Sequence, residues 1–130
     1  MSQTISAVTL VVRAYDEAIA WYCEKLKFCL VEDKDMGSGK RWVIIAPSSG
    51  AGTRLLLAEA RGPDQISAVG HQAGGRVLMI IFTTDFAGDY AHMQTQGVRF
   101  CEEPRTEIYG KVVVFEDLYS NRFDLLEPTA

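Results

Sequence analysis

Hydrophobic and polar residues alternate near the start of the chain in the way that a strand with two different faces requires. In the stretch ISAVTLVVR, the residues Val8, Leu10 and Val12 fall on one face. The period then changes, and the apolar residues follow helical spacing from Tyr15 to Lys27. Three extended stretches follow, FCLVEDKD, KRWVIIAP and TRLLLAEA, and the glycine-containing segments MGSG and SSGAG separate them. This part of the chain is predicted to fold as βαβββ.

The same order of elements occurs a second time. RVLMIIFTTD is predicted as a strand, Asp85 as the cap of a helix that runs to Gln96, and VRFCEEP, KVVVFED and NRFDLLEP as three further strands. The two halves align at a spacing of about 70 residues, because GKRWVII corresponds to GKVVVFE and TRLLLA to NRFDLL. We therefore predict one domain over residues 1–130. Its βαβββ repeats span about 4–60 and 76–128. They are joined by a linker, 61–75, whose glycine and proline content also suits a loop over a pocket.

Composition narrows the classes of partner. The chain has 130 residues, 48% of them hydrophobic, which suits one compact domain. Its 13 basic and 17 acidic residues form no basic stripe, so we expect no nucleic-acid partner. No apolar stretch approaches the roughly 20 residues that cross a bilayer, and no secretory signal is present, so we expect no membrane association and a cytoplasmic location. The three cysteines lack metal-site spacing and are interpreted as reduced thiols.

Two segments carry a family resemblance. ISAVTLVVRAYDEAIAWYCEKLKF resembles the opening strand and helix of the vicinal oxygen chelate superfamily, and VFEDLYSNRFDLLEP resembles its closing turn and last strand. This superfamily includes glyoxalase I, the bleomycin-resistance proteins and the extradiol dioxygenases. The resemblance covers the whole chain and implies an α+β fold of two tandem βαβββ modules. Their eight strands would form a curved mixed sheet in two four-stranded halves, with concave faces around the site. It also implies a homodimer.

Metal enzymes of this superfamily typically take one metal ligand from the first and last strand of each module. The resemblance places these degenerate ligand positions at Ala7, Leu56, Leu78 and Asp124. A register shift of one residue at the third position would bring in Val77 or Met79, neither of which binds hard metals. Because a catalytic site needs about three protein ligands, we expect no cofactor. A divalent metal is the less favoured alternative, and His71 and Glu116 would then be the first donors to consider.

Strand alternation identifies the side chains that share a face with Asp124 or occupy the matching face of the first repeat. Together with an aromatic residue from each half, they give a mostly apolar set of ligand-binding candidates: Thr9, Trp42, Arg54, Leu56, Leu78, Ile80, Tyr109, Arg122 and Asp124. Trp42 either packs or stacks on a flat ligand, and Tyr109 lies on the surface or donates a phenolic hydrogen bond. Each arginine either pairs with a carboxylate at a strand end or binds an anionic ligand.

The role of Asp124 has two alternatives, a hydrated strand carboxylate or a ligand contact. If it is buried, it needs a partner, which would be Arg54, Arg122 or a group on the ligand. Two function classes follow for the whole protein. We favour a glyoxalase-like or bleomycin-resistance-like protein that binds a small organic molecule in an apolar concave pocket without metal. The alternative is a divalent-metal-dependent lyase, isomerase or dioxygenase of the same superfamily, and the sequence leaves open whether the protein is an enzyme.

Overall fold

A computed structural model describes residues 1–47 and 50–130 of the chain. The elements are β1 (Ala7–Val12), α1 (Tyr15–Lys25), β2 (Cys29–Asp35), β3 (Arg41–Ala46), β4 (Arg54–Glu59), α2 (Gly62–Ala68), β5 (Val77–Phe82), α3 (Phe86–Thr95), β6 (Arg99–Phe100), β7 (Arg105–Glu107), β8 (Gly110–Glu116) and β9 (Arg122–Pro128). They form two compact units, Met1–Val69 and Gly70–Ala130. The boundary between the units falls inside the segment predicted as a linker.

The first unit is a four-stranded sheet with one long helix against it. The strand order is β1-β4-β3-β2, and β1 runs parallel to β4 while the other pairs are antiparallel. Helix α1 contacts β4 and β2 and buries Tyr15, Ala18 and Tyr22. Leu10 and Leu57, which are paired across β1 and β4, are also buried. The alternation of the sequence therefore produces one apolar face that packs against the helix.

The second unit repeats this arrangement with one extra strand. The strand order is β5-β9-β8-β6, and the short strand β7 also pairs with β8. Helix α3 contacts β9 and buries Phe86 and Met93. The core of the sheet includes Phe115 and Phe123, whose rings lie 5.5 Å apart. Asp85 caps α3 by accepting a hydrogen bond from the backbone N–H of Gly88 at 3.1 Å, as the sequence predicted.

The α+β fold of two tandem modules is confirmed, and its details differ from the prediction at several points. The hydrogen-bonded sheets are separate, with four and five strands, so the described residues form nine strands rather than eight. VRFCEEP forms only the two-residue strand β6, and just beyond it the backbone N–H of Val114 donates to the side chain of Glu102. The predicted linker contains helix α2, with proline in its first turn. Ser48 and Ser49 of the predicted turn SSGAG lie outside the described residues. Among the described residues, no helix combines the length and apolar character needed to span a membrane.

Candidate functional site

The face of the first sheet opposite α1 carries four of the predicted ligand-binding residues. They are Thr9, Trp42, Arg54 and Leu56. Thr9 is the cross-strand partner of Leu56, so both side chains lie on the same face. The indole nitrogen of Trp42 donates a hydrogen bond to Glu32 at 3.5 Å, and the residue is 40% exposed. We call this surface the first open face.

The second sheet has a corresponding face on the side opposite α3, and Asp124 lies within it. Its partners in the adjacent strands are Ile80 and Val114. Ile80 and Phe82 are 58% and 71% exposed, whereas Leu126, the partner of Phe82, is buried. We call this surface, formed by Ile80, Phe82, Val114, Asp124 and Leu126, the second open face. Exposed large apolar side chains around one carboxyl group are typical of a surface that binds another molecule.

The carboxyl group of Asp124 is poorly compensated within the protein. Its Oδ1 atom is buried and has no hydrogen-bond partner among the described residues. Burial raises the pKa of Asp124, while Arg105 opposes this shift and Glu102 adds to it. Arg122 does not supply the missing partner, because its Nε atom pairs with Oε2 of Glu116 at 3.7 Å. That ion pair matches the alternative in which Arg122 binds a carboxylate at a strand end.

Sequence reasoning missed a polar cluster beside this face, centred on Arg105 in β7. The guanidinium group donates from Nε to Glu102 at 3.0 Å and from Nη1 to Glu107 at 2.8 Å. The hydroxyl group of Tyr109 accepts a longer hydrogen bond from Nη1 at 3.4 Å. Glu102 also accepts from the backbone N–H of Val114 at 3.1 Å. The charged stretch EEPRTE contains the charged residues of this cluster. A strand of three residues is too short for its alternation to show which side chains share a face.

Cys101 is another polar group near this cluster, and its environment disfavours nucleophilic chemistry. Burial raises the pKa of the thiol, and the neighbouring carboxylate of Glu116 raises it further. The thiolate is the reactive form of cysteine, so a raised pKa makes Cys101 a poorer candidate for a nucleophile.

A bulge changes the surroundings of one predicted residue, Leu78. Val77 is the partner of Arg122, and Ile80 is the partner of Asp124, so β5 has one residue more than β9 over this stretch. Leu78 is the residue between the two registers, and it lines a cavity at the end of the sheet. The second unit thus brings Ile80 and Asp124 together on one face. Leu78 and Arg122 line the cavity at the end of the sheet.

The sequence profile of the Glyoxalase/Bleomycin resistance protein/Dioxygenase superfamily matches residues 4–125. The chain belongs to this superfamily. A protein of Shewanella frigidimarina (strain NCIMB 400) is 48% identical over 128 residues, which cover 98% of this chain and 95% of that protein. The predicted resemblance of the whole chain to this superfamily is therefore confirmed.

Two solved structures share the architecture of this chain. The crystal structure of UcmS2 has a TM-score of 0.84 and 26% identity, and the match covers 98% of this chain and 99% of that one. TnmS3, described as an antibiotic binding protein from Streptomyces sp. CB03234, has a TM-score of 0.74 and 27% identity over 99% of this chain and 98% of its own. One protein described as antibiotic binding is thus among the structural neighbours of this chain.

The donor set does not fit the metal that enzymes of the glyoxalase/bleomycin resistance/dioxygenase superfamily typically bind. In the first unit, Ala7 and Leu56 lie on one face and carry no donor atom. In the second, Leu78 lies at the bulge, and only Asp124 has an oxygen to offer. No group of three or more His, Cys, Asp or Glu side chains in the described part of the chain is arranged to hold an ion. These four positions therefore do not form a metal site of the usual kind. The absence of a cofactor stays a prediction.

Proposed function

We propose that the protein binds a small organic molecule on the second open face, without a metal ion and without converting it. The observation that carries the proposal is the Oδ1 atom of Asp124, which is buried without a hydrogen-bond partner among the described residues. It lies beside the exposed side chain of Ile80. The apolar body of a ligand would cover Ile80, and a hydrogen-bond donor on the same ligand would satisfy Oδ1 of Asp124.

The chemistry of Asp124 suggests the donor group on the ligand. A buried acceptor without a partner costs about 1 to 3 kcal/mol, and a ligand hydroxyl or ammonium group would remove that cost on binding. The neighbouring Arg105 is already held by Glu102 and Glu107, and although its charge lowers the pKa of Asp124, it makes no hydrogen bond to Oδ1. The ligand-binding roles of Thr9, Trp42, Arg54 and Leu56 belong to the first unit and stay predictions.

One structural neighbour supports a binding role over a catalytic one. TnmS3 is 27% identical to this chain and is described as an antibiotic binding protein. The competing proposal, a divalent-metal lyase, isomerase or dioxygenase, requires donors where Ala7, Leu56 and Leu78 stand. Elemental analysis of protein purified without chelator tests this directly, because one equivalent of metal per chain would contradict the metal-free proposal.

We also propose that the protein is a cytoplasmic homodimer. Strand β5 lies at an edge of its sheet, and an edge strand can offer backbone N–H and C=O groups to a neighbouring chain. Pairing with a second copy is one way to cover such edges. Light scattering at micromolar concentration should therefore give about twice the chain mass of 14.4 kDa, and a monomer mass would refute this assembly.

The decisive experiment compares Asp124→Asn with the natural protein. The ligand is first identified by mass spectrometry of molecules carried through purification, and both proteins are then titrated calorimetrically. We expect at least a tenfold loss of affinity, equivalent to about 1.4 kcal/mol, because the acceptor for the ligand's donor is weakened. Asp64→Asn, on the exposed surface of α2, is the matched control and should leave the affinity unchanged.

Two results would overturn the proposal. Unchanged affinity in Asp124→Asn would remove Asp124 from the binding site. Mass spectrometry that finds a converted product after incubation of the identified molecule with the protein would replace binding with catalysis.

A further inference from the structure

A cavity of about 210 Å³ lies at the end of the second sheet where β8 ends and β9 begins. Its walls come from the glycine-containing turn at residues 70–76, the start of β5 and the turn that joins β8 to β9. Pockets that hold drug-sized ligands span roughly 300 to 1,000 Å³, so this cavity suits a single functional group or a very small molecule. None of its lining residues is one of the five that form the second open face.

The floor of the cavity is fixed by a buried hydrogen-bond network. Asp117 accepts hydrogen bonds at 2.9 Å from the backbone N–H groups of Tyr119 and Asn121 and from the side-chain amide of Asn121. Asp117 and Asn121 are both buried. Gly70 packs so closely against this turn that a Cβ atom there would overlap the carbonyl oxygen of Tyr119. The cavity therefore has a preformed shape.

Positive charge exceeds negative charge along the cavity wall. Arg76, Arg122 and Glu116 line it, and Glu116 is already shared between Arg122 and Arg99 through separate oxygens, at 3.7 and 3.3 Å. The guanidinium group of Arg76 makes no hydrogen bond or ion pair with any residue in the described ranges 1–47 and 50–130. The whole chain has a net charge of -4, so this local excess runs against the protein's overall charge.

We propose that this cavity binds the carboxylate group of a small organic anion, with Arg76 as its main contact and Arg122 beside it. A guanidinium group presents parallel N–H donors that match the two oxygens of a carboxylate. The hydroxyl group of Ser120 is a further donor on the wall, and Leu78 provides an apolar surface for the carbon skeleton. One unpaired arginine matches a single negative charge, which favours a carboxylate over a doubly charged phosphate.

The test is a titration of the full chain followed by ¹H–¹⁵N NMR at low ionic strength. The probes are benzoate, its neutral counterpart benzamide, and phenyl phosphate, with protein freed of any co-purified molecule. We expect benzoate to shift the amide signals of residues 70–78 and 116–122 saturably, and benzamide to leave them in place. Added salt should weaken the benzoate shifts, because screening reduces the attraction between exposed charges.

Variants of Arg76 decide the assignment. Arg76→Gln should weaken benzoate binding at least tenfold, and Arg76→Lys should weaken it less, because lysine keeps the charge but loses the paired donors. Arg13→Gln is the matched control, since Arg13 is an exposed arginine paired with Glu17 in the first unit. Equal binding of benzamide, undiminished benzoate binding in Arg76→Gln, or tighter binding of phenyl phosphate than of benzoate would each overturn the proposal. Because Arg76 lines the cavity and is not part of the second open face, the result does not depend on the proposed function.

Discussion

The two open faces occupy matching positions of the repeat, and a leucine in the first, Leu56, corresponds to a carboxyl group in the second, Asp124. Leu56 lies between Thr9 and Ile44 in the first sheet, whereas Asp124 lies between Ile80 and Val114 in the second. Each residue pairs with one parallel and one antiparallel neighbour, so a repeat can keep this local pairing while its two copies diverge in chemistry.

The charged groups of the two faces also differ in how they are compensated. On the first, the carboxylate of Glu32 has a lowered pKa, caused first by its hydrogen bond to Lys34 and then by that to Trp42, with a smaller contribution from Arg54. On the second, burial dominates and raises the pKa of Asp124. On the first open face, side chains of the protein therefore stabilise the carboxylate of Glu32. On the second, Oδ1 of Asp124 is left to accept a hydrogen bond from a bound molecule.

The largest expected effects lie where the two repeats should behave alike. Leu57 and Leu125 occupy corresponding positions on the covered faces and are both buried. Leu57→Ala and Leu125→Ala should each lower the free energy of unfolding by about 2 to 5 kcal/mol, because each leaves a cavity in packed core. Urea denaturation measures both. A loss below about 1 kcal/mol in only one variant would show that the covered faces are not equivalent.

Exchanging the residues that distinguish the open faces should give effects of opposite sign. Asp124→Leu removes a poorly compensated carboxyl group and should raise the free energy of unfolding by about 1 kcal/mol. Leu56→Asp places a carboxyl group beside Thr9 and Ile44 and should lower it by about 1 to 3 kcal/mol. Both are measured by urea denaturation without ligand. If Asp124→Leu destabilises the protein instead, Asp124 has a favourable partner, and the contrast between the faces fails.

The smallest expected effect is a pH dependence specific to the second face. The pKa of Asp124 in the folded protein is raised above its ordinary value of 3.8. Between pH 3.8 and that raised pKa, the folded state therefore binds more protons than the unfolded state. The free energy of unfolding therefore falls as pH rises through that window. The melting temperature of Asp124→Asn minus that of the natural protein should grow as pH rises from about 3 to 7 and then level off. A difference that shrinks over the same range would mean that the folded protein stabilises the ionised form.

Much of the fold was predictable because its signals are local and repeated. Asp85 precedes a helical pattern and does cap α3, and the alternation in TRLLLA and NRFDLL put Leu56 and Asp124 on the face opposite the buried Leu57 and Leu125. Helix α2 was not predicted, since its seven residues carry no apolar stripe and none of them is buried. Short elements without a buried face leave little trace in a sequence.

The candidate site was predictable only in part, because its character depends on residues far apart in the chain. Alternation put Ile80 and Asp124 on one face, which the register confirms. It did not show that Arg122 binds Glu116, nor that Arg105 lies between two carboxylates on a three-residue strand. Whether a charged side chain is already paired is a property of the folded structure, and periodicity carries no information about it.

The bulge at Leu78 has a consequence for chain length among related proteins. Val77 and Met79 are partnered with the consecutive residues Arg122 and Phe123, so Leu78 adds length to β5 without adding a pair. Deleting it would leave every remaining pair between β5 and β9 in place, whereas a deletion further along β5 would turn the following side chains to the opposite face. We therefore expect insertions and deletions of one residue in this strand to be tolerated at position 78 and rejected from 80 onwards.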